Sequence, residues 1–174
     1  MVVLHLDLSR LRILLADDSA FMRRLVRSLL NGLGIRSVIE AEDGVAALQA
    51  FEQNEVDIII TDWVMPVFDG LELAQAVRDP QSRNPHIPIL MLSAHAELSR
   101  VILARDAGVS GFLTKPISAK MLRLRLESCV LNPRAIATAS RSGVSEPDDQ
   151  SGSDMPAMTV EDTTLEDDLT LDPV

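Results

Sequence analysis

Asp17-Asp18, Asp62, Ser93 and Lys115 are scattered along the chain, yet each stands just after a short apolar run. Three carboxylates brought together repel one another and invite a hard divalent cation with oxygen ligands. A hydroxyl and an ammonium opposite them can hold the equatorial oxygens of a phosphoryl group. A carboxylate at the centre can then act as the nucleophile and form an acyl phosphate. Mg²⁺ suits such a site, with Mn²⁺ able to substitute, because it takes few carboxylates and completes its shell with water and phosphate.

Convergence of these residues depends on the elements that carry them. Leu11–Ala16 is a near-continuous apolar run that stops at the acidic pair, as a buried strand would. Ser19 then caps an amphipathic helix in which Phe21, Leu25, Leu29 and Leu33 recur every four residues, beside Met22 and Val26, with Arg23, Arg24 and Arg27 on the other face. Ile35–Ala41 reads as a second strand and Val56–Thr61 as a third, leading into Asp62; Ile87–Leu92 is a fourth and Val109–Thr114 a fifth. Between them lie helices opened by Asp43, Asp69 and Glu97, and Ser118 caps a last one through Val130. Five strands alternating with five helices predict an α/β fold, a doubly wound parallel sheet covered on both faces. Ligands of such sheets bind outside the carboxyl ends of the strands, which is where the polar residues fall.

The set Asp17-Asp18, Asp62-Trp-Val-Met-Pro66 with Asp69-Gly70, Ser93-Ala94 and Lys115-Pro116, in this order and at these spacings, resembles the receiver domains of chemotaxis-type response regulators in two-component phosphorelays. The resemblance implies a flavodoxin-like strand order 2-1-3-4-5. It makes Asp62 the phospho-acceptor and Asp18 a direct Mg²⁺ ligand, with Asp17 acting directly or through water and the main-chain carbonyl of Val64 adding another ligand. Ser93 would bond a phosphoryl oxygen, Lys115 would pair with the phosphate, Phe112 would be the rotating switch aromatic, and Lys115-Pro116 would be a cis peptide. The implied partners are a sensor histidine kinase or histidine phosphotransferase, and a protein target on the face formed by helix 4, strand 5 and helix 5. The implied chemistry is self-catalysed transfer to Asp62 with slow self-dephosphorylation, not turnover of a separate substrate. Two departures bear on rates: Phe112 lacks a hydroxyl, and Val64 is apolar two residues past the acceptor. His95, two past Ser93, is a further residue near the entrance.

Composition narrows the alternatives. The chain has 174 residues, room for one ordinary domain and an appendage. Ten of its 26 acidic residues lie from Ser142 onward, where no basic residue occurs, and the other 16 balance the 16 Lys and Arg. A neutral body gives no electrostatic case for nucleic acid. One cysteine, no apolar run of membrane-spanning length and no signal-peptide pattern point to a cytoplasmic protein without membrane contact. The expected organisation is an N-terminal extension over 1–10, a receiver domain over 11–131 and an acidic, disordered tail over 132–174. Too little patterned sequence follows Val130 for an output domain, so output is expected through protein–protein contact. The rivals are a phosphate shuttle to a histidine phosphotransfer protein, a fragment separated from its output domain, and a metal-dependent phosphatase. Trp63 reads equally as a partly exposed aromatic or a recognition residue, Cys129 as structural, and His5, His86 and His95 lack metal-ligand spacing.

Overall fold

The structure is a computed structural model that describes residues 7–95 and 97–132. The acidic tail expected over 132–174 lies outside these residues but for Asn132, as do His5 and the first six residues of the extension.

Five parallel strands run β1 (Arg12–Ala16), β2 (Ser37–Ala41), β3 (Ile58–Asp62), β4 (Ile89–Ser93) and β5 (Gly111–Thr114). They pair in the order β2-β1-β3-β4-β5, the flavodoxin-like arrangement that the family resemblance implies. The intervening helices are α1 (Ala20–Gly32), α2 (Gly44–Gln53), α3 (Gly70–Val77), α4 (Leu98–Asp106) and α5 (Ala119–Leu131). Side chains on a strand alternate between faces, and the aliphatic runs therefore feed two cores. Leu14, Ile59, Ile89 and Met91 pack with α2, α3 and α4 on one face. Ile13, Leu15, Ile58, Ile60, Leu90 and Leu92 pack with α1 and α5 on the other. Residues of β3 and β4 are buried throughout, whereas β2 at one edge is half exposed.

Helix starts follow local side-chain chemistry. Ser19, Asp43, Asp69 and Ser118 each accept a backbone N–H of the first turn, and Asp69 with Glu72 completes a reciprocal capping box. Glu97 precedes α4 without such a bond.

The inward face of α1 differs from the four-residue pattern, and α5 likewise leaves apolar residues outside. On α1 the buried residues are Val26 and Leu30, while Phe21 is 66% exposed and Leu25 lies at the surface. On α5 Leu122, Leu126 and Cys129 are buried, and Met121 and Leu124 are exposed. A helix can bury only the stripe that meets the sheet, and both sequences carry more apolar residues than that stripe holds. Within the N-terminal extension, Asp7 caps a 3-10 turn (Leu8–Arg10) that places Leu8 in the α1/α5-side core.

Candidate functional site

Parallel pairing ends at Ala16, Asp62 and Ser93, so the next residues of neighbouring strands meet at one rim of the sheet. Asp17, Asp18 and Asp62 converge there, with one carboxylate oxygen from each lying within 4.8 Å of the others. Asp17 and Asp62 are buried and Asp18 is exposed. The donor set is all hard oxygen, half open to water, and fits Mg²⁺. The three acids together would hold the ion, and the exposed side at Asp18 leaves room for its remaining shell.

Lys115, just past β5, neutralises part of this cluster. Its Nζ donates to Asp62 Oδ1 at 2.8 Å and to Asp17 Oδ2 at 3.4 Å. Burial works against the ammonium's charge, but the hydrogen bond from Lys115 to Asp62 and the charges of Asp62 and Asp17 outweigh it, so its pKa rises above the ordinary lysine value. For Asp17 burial dominates and raises the pKa, against the Ser19 amide and Lys115, which lower it. The other Asp17 oxygen accepts the Ser19 amide at 2.8 Å, so both of its oxygens already have a partner. An extra ligand bond there must use a remaining lone pair or pass through water. The Lys115-Pro116 peptide is cis.

Ser93 is buried at the end of β4, and its hydroxyl donates to the His95 carbonyl at 3.0 Å and accepts the His95 amide at 3.1 Å. In this state it is tied to the β4–α4 loop. The exposed His95 reaches the site through that backbone contact.

The β3–α3 loop is shaped by close backbone packing. The Gly70 amide donates to the Trp63 carbonyl at 3.0 Å, and a Cβ on Gly70 would overlap the Asp62 carbonyl oxygen. Val64 is 64% exposed beside the acceptor. Val67 has φ +67°, and across it the Phe68 amide bonds the Pro66 carbonyl at 2.7 Å. This is a γ-turn with positive central φ, a strained form that β-branched residues seldom adopt.

Trp63 departs from the reading as a partly exposed aromatic, because it is buried, at 8% exposure. The Arg100 guanidinium lies over its ring at 5.2 Å, and Phe112 meets it edge-on with centroids 6.3 Å apart. Phe112 is half-buried. Nothing in the spacing marked Arg100 as a neighbour of the acceptor strand; a cation on the sheet-facing side of α4 was the available signal. Cys129 is buried, and desolvation pushes its thiol up to about 12, which keeps it inert.

Comparison with known proteins identifies the family and the fold. Residues 13–127 match the family model of the response regulator receiver domain. The chain is 39% identical over 117 residues to the chemotaxis protein CheY of Pseudomonas aeruginosa, covering 67% of this chain and 94% of that protein. It is 38% identical over 117 residues to CheY-3 of Vibrio cholerae, covering 67% and 89%. Among solved structures, CheY4 of Vibrio cholerae is similar at TM-score 0.63 and 34% identity, over 67% of this chain and 96% of that one. A receiver domain protein of Clostridium thermocellum is similar at TM-score 0.63 and 27% identity, over 70% and 94%.

Proposed function

The chain belongs to the response regulator receiver domain family, of the chemotaxis type, and from that premise we propose that it is a Mg²⁺-dependent phosphoryl acceptor whose modification at Asp62 switches a protein-binding surface. The observation that carries this reading is the buried Asp62 carboxylate, set among two further acids and bonded by Lys115. A sensor histidine kinase or histidine phosphotransferase is the donor. An Asp62 carboxylate oxygen attacks phosphorus, the P–N bond of the donor phosphohistidine breaks, and its electron pair stays on the imidazole nitrogen.

Asp17, Asp18, Asp62 and the Val64 carbonyl would hold the metal ion, which when bound would supply positive charge to offset the negative charge gathered at the site. Lys115 then exchanges part of its contact with Asp62 and Asp17 for a phosphoryl oxygen. Ser93 releases the His95 backbone and turns its hydroxyl to another phosphoryl oxygen, which draws the β4–α4 loop inward. Phe112, already against Trp63, enters the space this opens. The face of α4, β5 and α5 changes as a result, and Leu98, Ile102, Met121 and Leu124 supply exposed apolar surface on those helices. Phosphorylation thereby shifts an equilibrium between two surface states. Water attack on the acyl phosphate is slow, because Val64 offers no hydrogen bond to orient the water.

The receiver domain spans 11–131 and the acidic segment beyond it is dispensable for acceptance. The switch is tested by titrating beryllofluoride, a phosphoryl mimic, with MgCl₂ while following Trp63 fluorescence. A saturable change lost in Asp62→Asn is expected; an identical response in that variant would refute the reading.

A further inference from the structure

The turn that carries Asp17 and Asp18 lies beyond the strand ladder. Pairing of β1 with β2 ends at Ala16 and Ala41, so the carbonyls of Asp17 and Asp18 have no strand partner and need a donor from elsewhere. Arg23, one turn into α1, provides it. Its Nη1 donates to the Asp17 carbonyl at 2.7 Å and reaches the Asp18 carbonyl at 3.5 Å. Its Nε faces Glu40 Oε2 of β2 at 3.4 Å, and the same carboxylate accepts Arg27 Nη1 at 2.7 Å. The Arg23 side chain is only 16% exposed. The turn is fixed on its other side by the Asp17 amide on the Ala41 carbonyl at 3.2 Å and the Ser19 amide on Asp17 Oδ1 at 2.8 Å.

We propose that Arg23 is a positioning residue for the divalent cation, holding the main chain of Asp17 and Asp18 so that their carboxylates project together toward Asp62. The proposal rests on the reading that these acids bind the ion. Charge and geometry pull in opposite directions here, and that makes the role measurable. A cation near a cation site opposes binding, so by charge alone removing Arg23 would tighten Mg²⁺ affinity. Glu40 pairs with the guanidinium and damps that repulsion, leaving orientation of the acids as the larger effect. Lysine would keep the charge but not the fork that meets a carbonyl and a carboxylate at once.

The test is calorimetric titration of the full chain with MgCl₂ for wild type, Arg23→Met and Arg23→Lys, with amide exchange at Ser19 in metal-free protein. Weakening of about tenfold, the lower range for residues that orient metal ligands, is expected for Arg23→Met and in the same direction for Arg23→Lys. Faster Ser19 exchange should accompany it, a local change that loss of global stability alone would not confine to this turn. If Arg23→Met fails to fold, Arg23→Lys carries the comparison. Unchanged or tighter binding in a folded variant would overturn the proposal. Absence of Mg²⁺ binding by wild type would instead remove the metal reading beneath it, and the proposal with it.

Discussion

Replacing Asp17 by Asn should separate metal binding from folding, because this carboxylate serves the first and burdens the second. Lys115 lies 3.4 Å from it, an attraction of about 5 kcal/mol at an effective dielectric of ~20. Asp62, whose ligand oxygen lies within 4.8 Å, repels it by at least about 3.5 kcal/mol on the same scale. The exposed Asp18 adds a screened repulsion, so the charge terms nearly cancel. Burial then decides: at 1% exposure it opposes the charge and raises the pKa. A pKa raised in the folded state means that stability held at low pH is lost as pH climbs through the raised value. The full cost is present once pH lies above that raised value. Asn keeps an oxygen for the Ser19 amide and drops the charge, while Lys115 retains Asp62. Asp17→Asn should therefore raise metal-free stability by about 1 kcal/mol, or roughly 3–5 °C in Tm for a folded body of this size. Mg²⁺ at a hundredfold its dissociation constant should add about 2.7 kcal/mol to wild type and far less to the variant. Thermal melts with and without MgCl₂ decide the matter. A variant less stable without metal, or stabilised by Mg²⁺ as much as wild type, would refute the reasoning.

Other expectations follow from single contacts. Val67 is 94% exposed at φ +67°, so Val67→Gly loses no packing, and relief of strain should exceed the entropy cost of glycine by about 1 kcal/mol in urea unfolding. Gly111→Ala would drive a Cβ into Cys129 Sγ and should destabilise by about 1–3 kcal/mol, with part of the loss recovered in the Gly111→Ala/Cys129→Ala double variant. Arg12 holds Asp57 through hydrogen bonds that lower its pKa, so stability is present above the ordinary Asp value and lost as pH falls through the lowered one. Asp57→Asn should flatten that acid limb, by about 1 kcal/mol after solvent screening, in melts across acidic pH.

The strands and the strand-end polar residues were legible in the sequence because both leave a pattern, aliphatic runs that stop at Asp17, Asp62, Ser93 and Lys115, whereas the order of the strands followed only from the family resemblance. Caps were legible for the same reason, as Ser19, Asp43, Asp69 and Ser118 precede periodic segments. Side chains that act on the backbone leave no such trace. Arg23 reads as one more arginine on the polar face of α1, yet it holds two carbonyls of the acid turn. The surroundings of Trp63 include Arg100 and Phe112, which are far from it in sequence. Phe21 and Leu25 obey helical spacing but sit just outside the stripe that meets the sheet. The left-handed Val67 is hidden because its residue type argues against that conformation.

The central claim is acceptance at Asp62, and intact-mass measurement after incubation with acetyl phosphate tests it most directly. With Mg²⁺ present the wild-type chain should gain the mass of one phosphoryl group, and the gain should vanish with EDTA or in Asp62→Asn. A gain that persists in Asp62→Asn and maps to another aspartate would contradict the account.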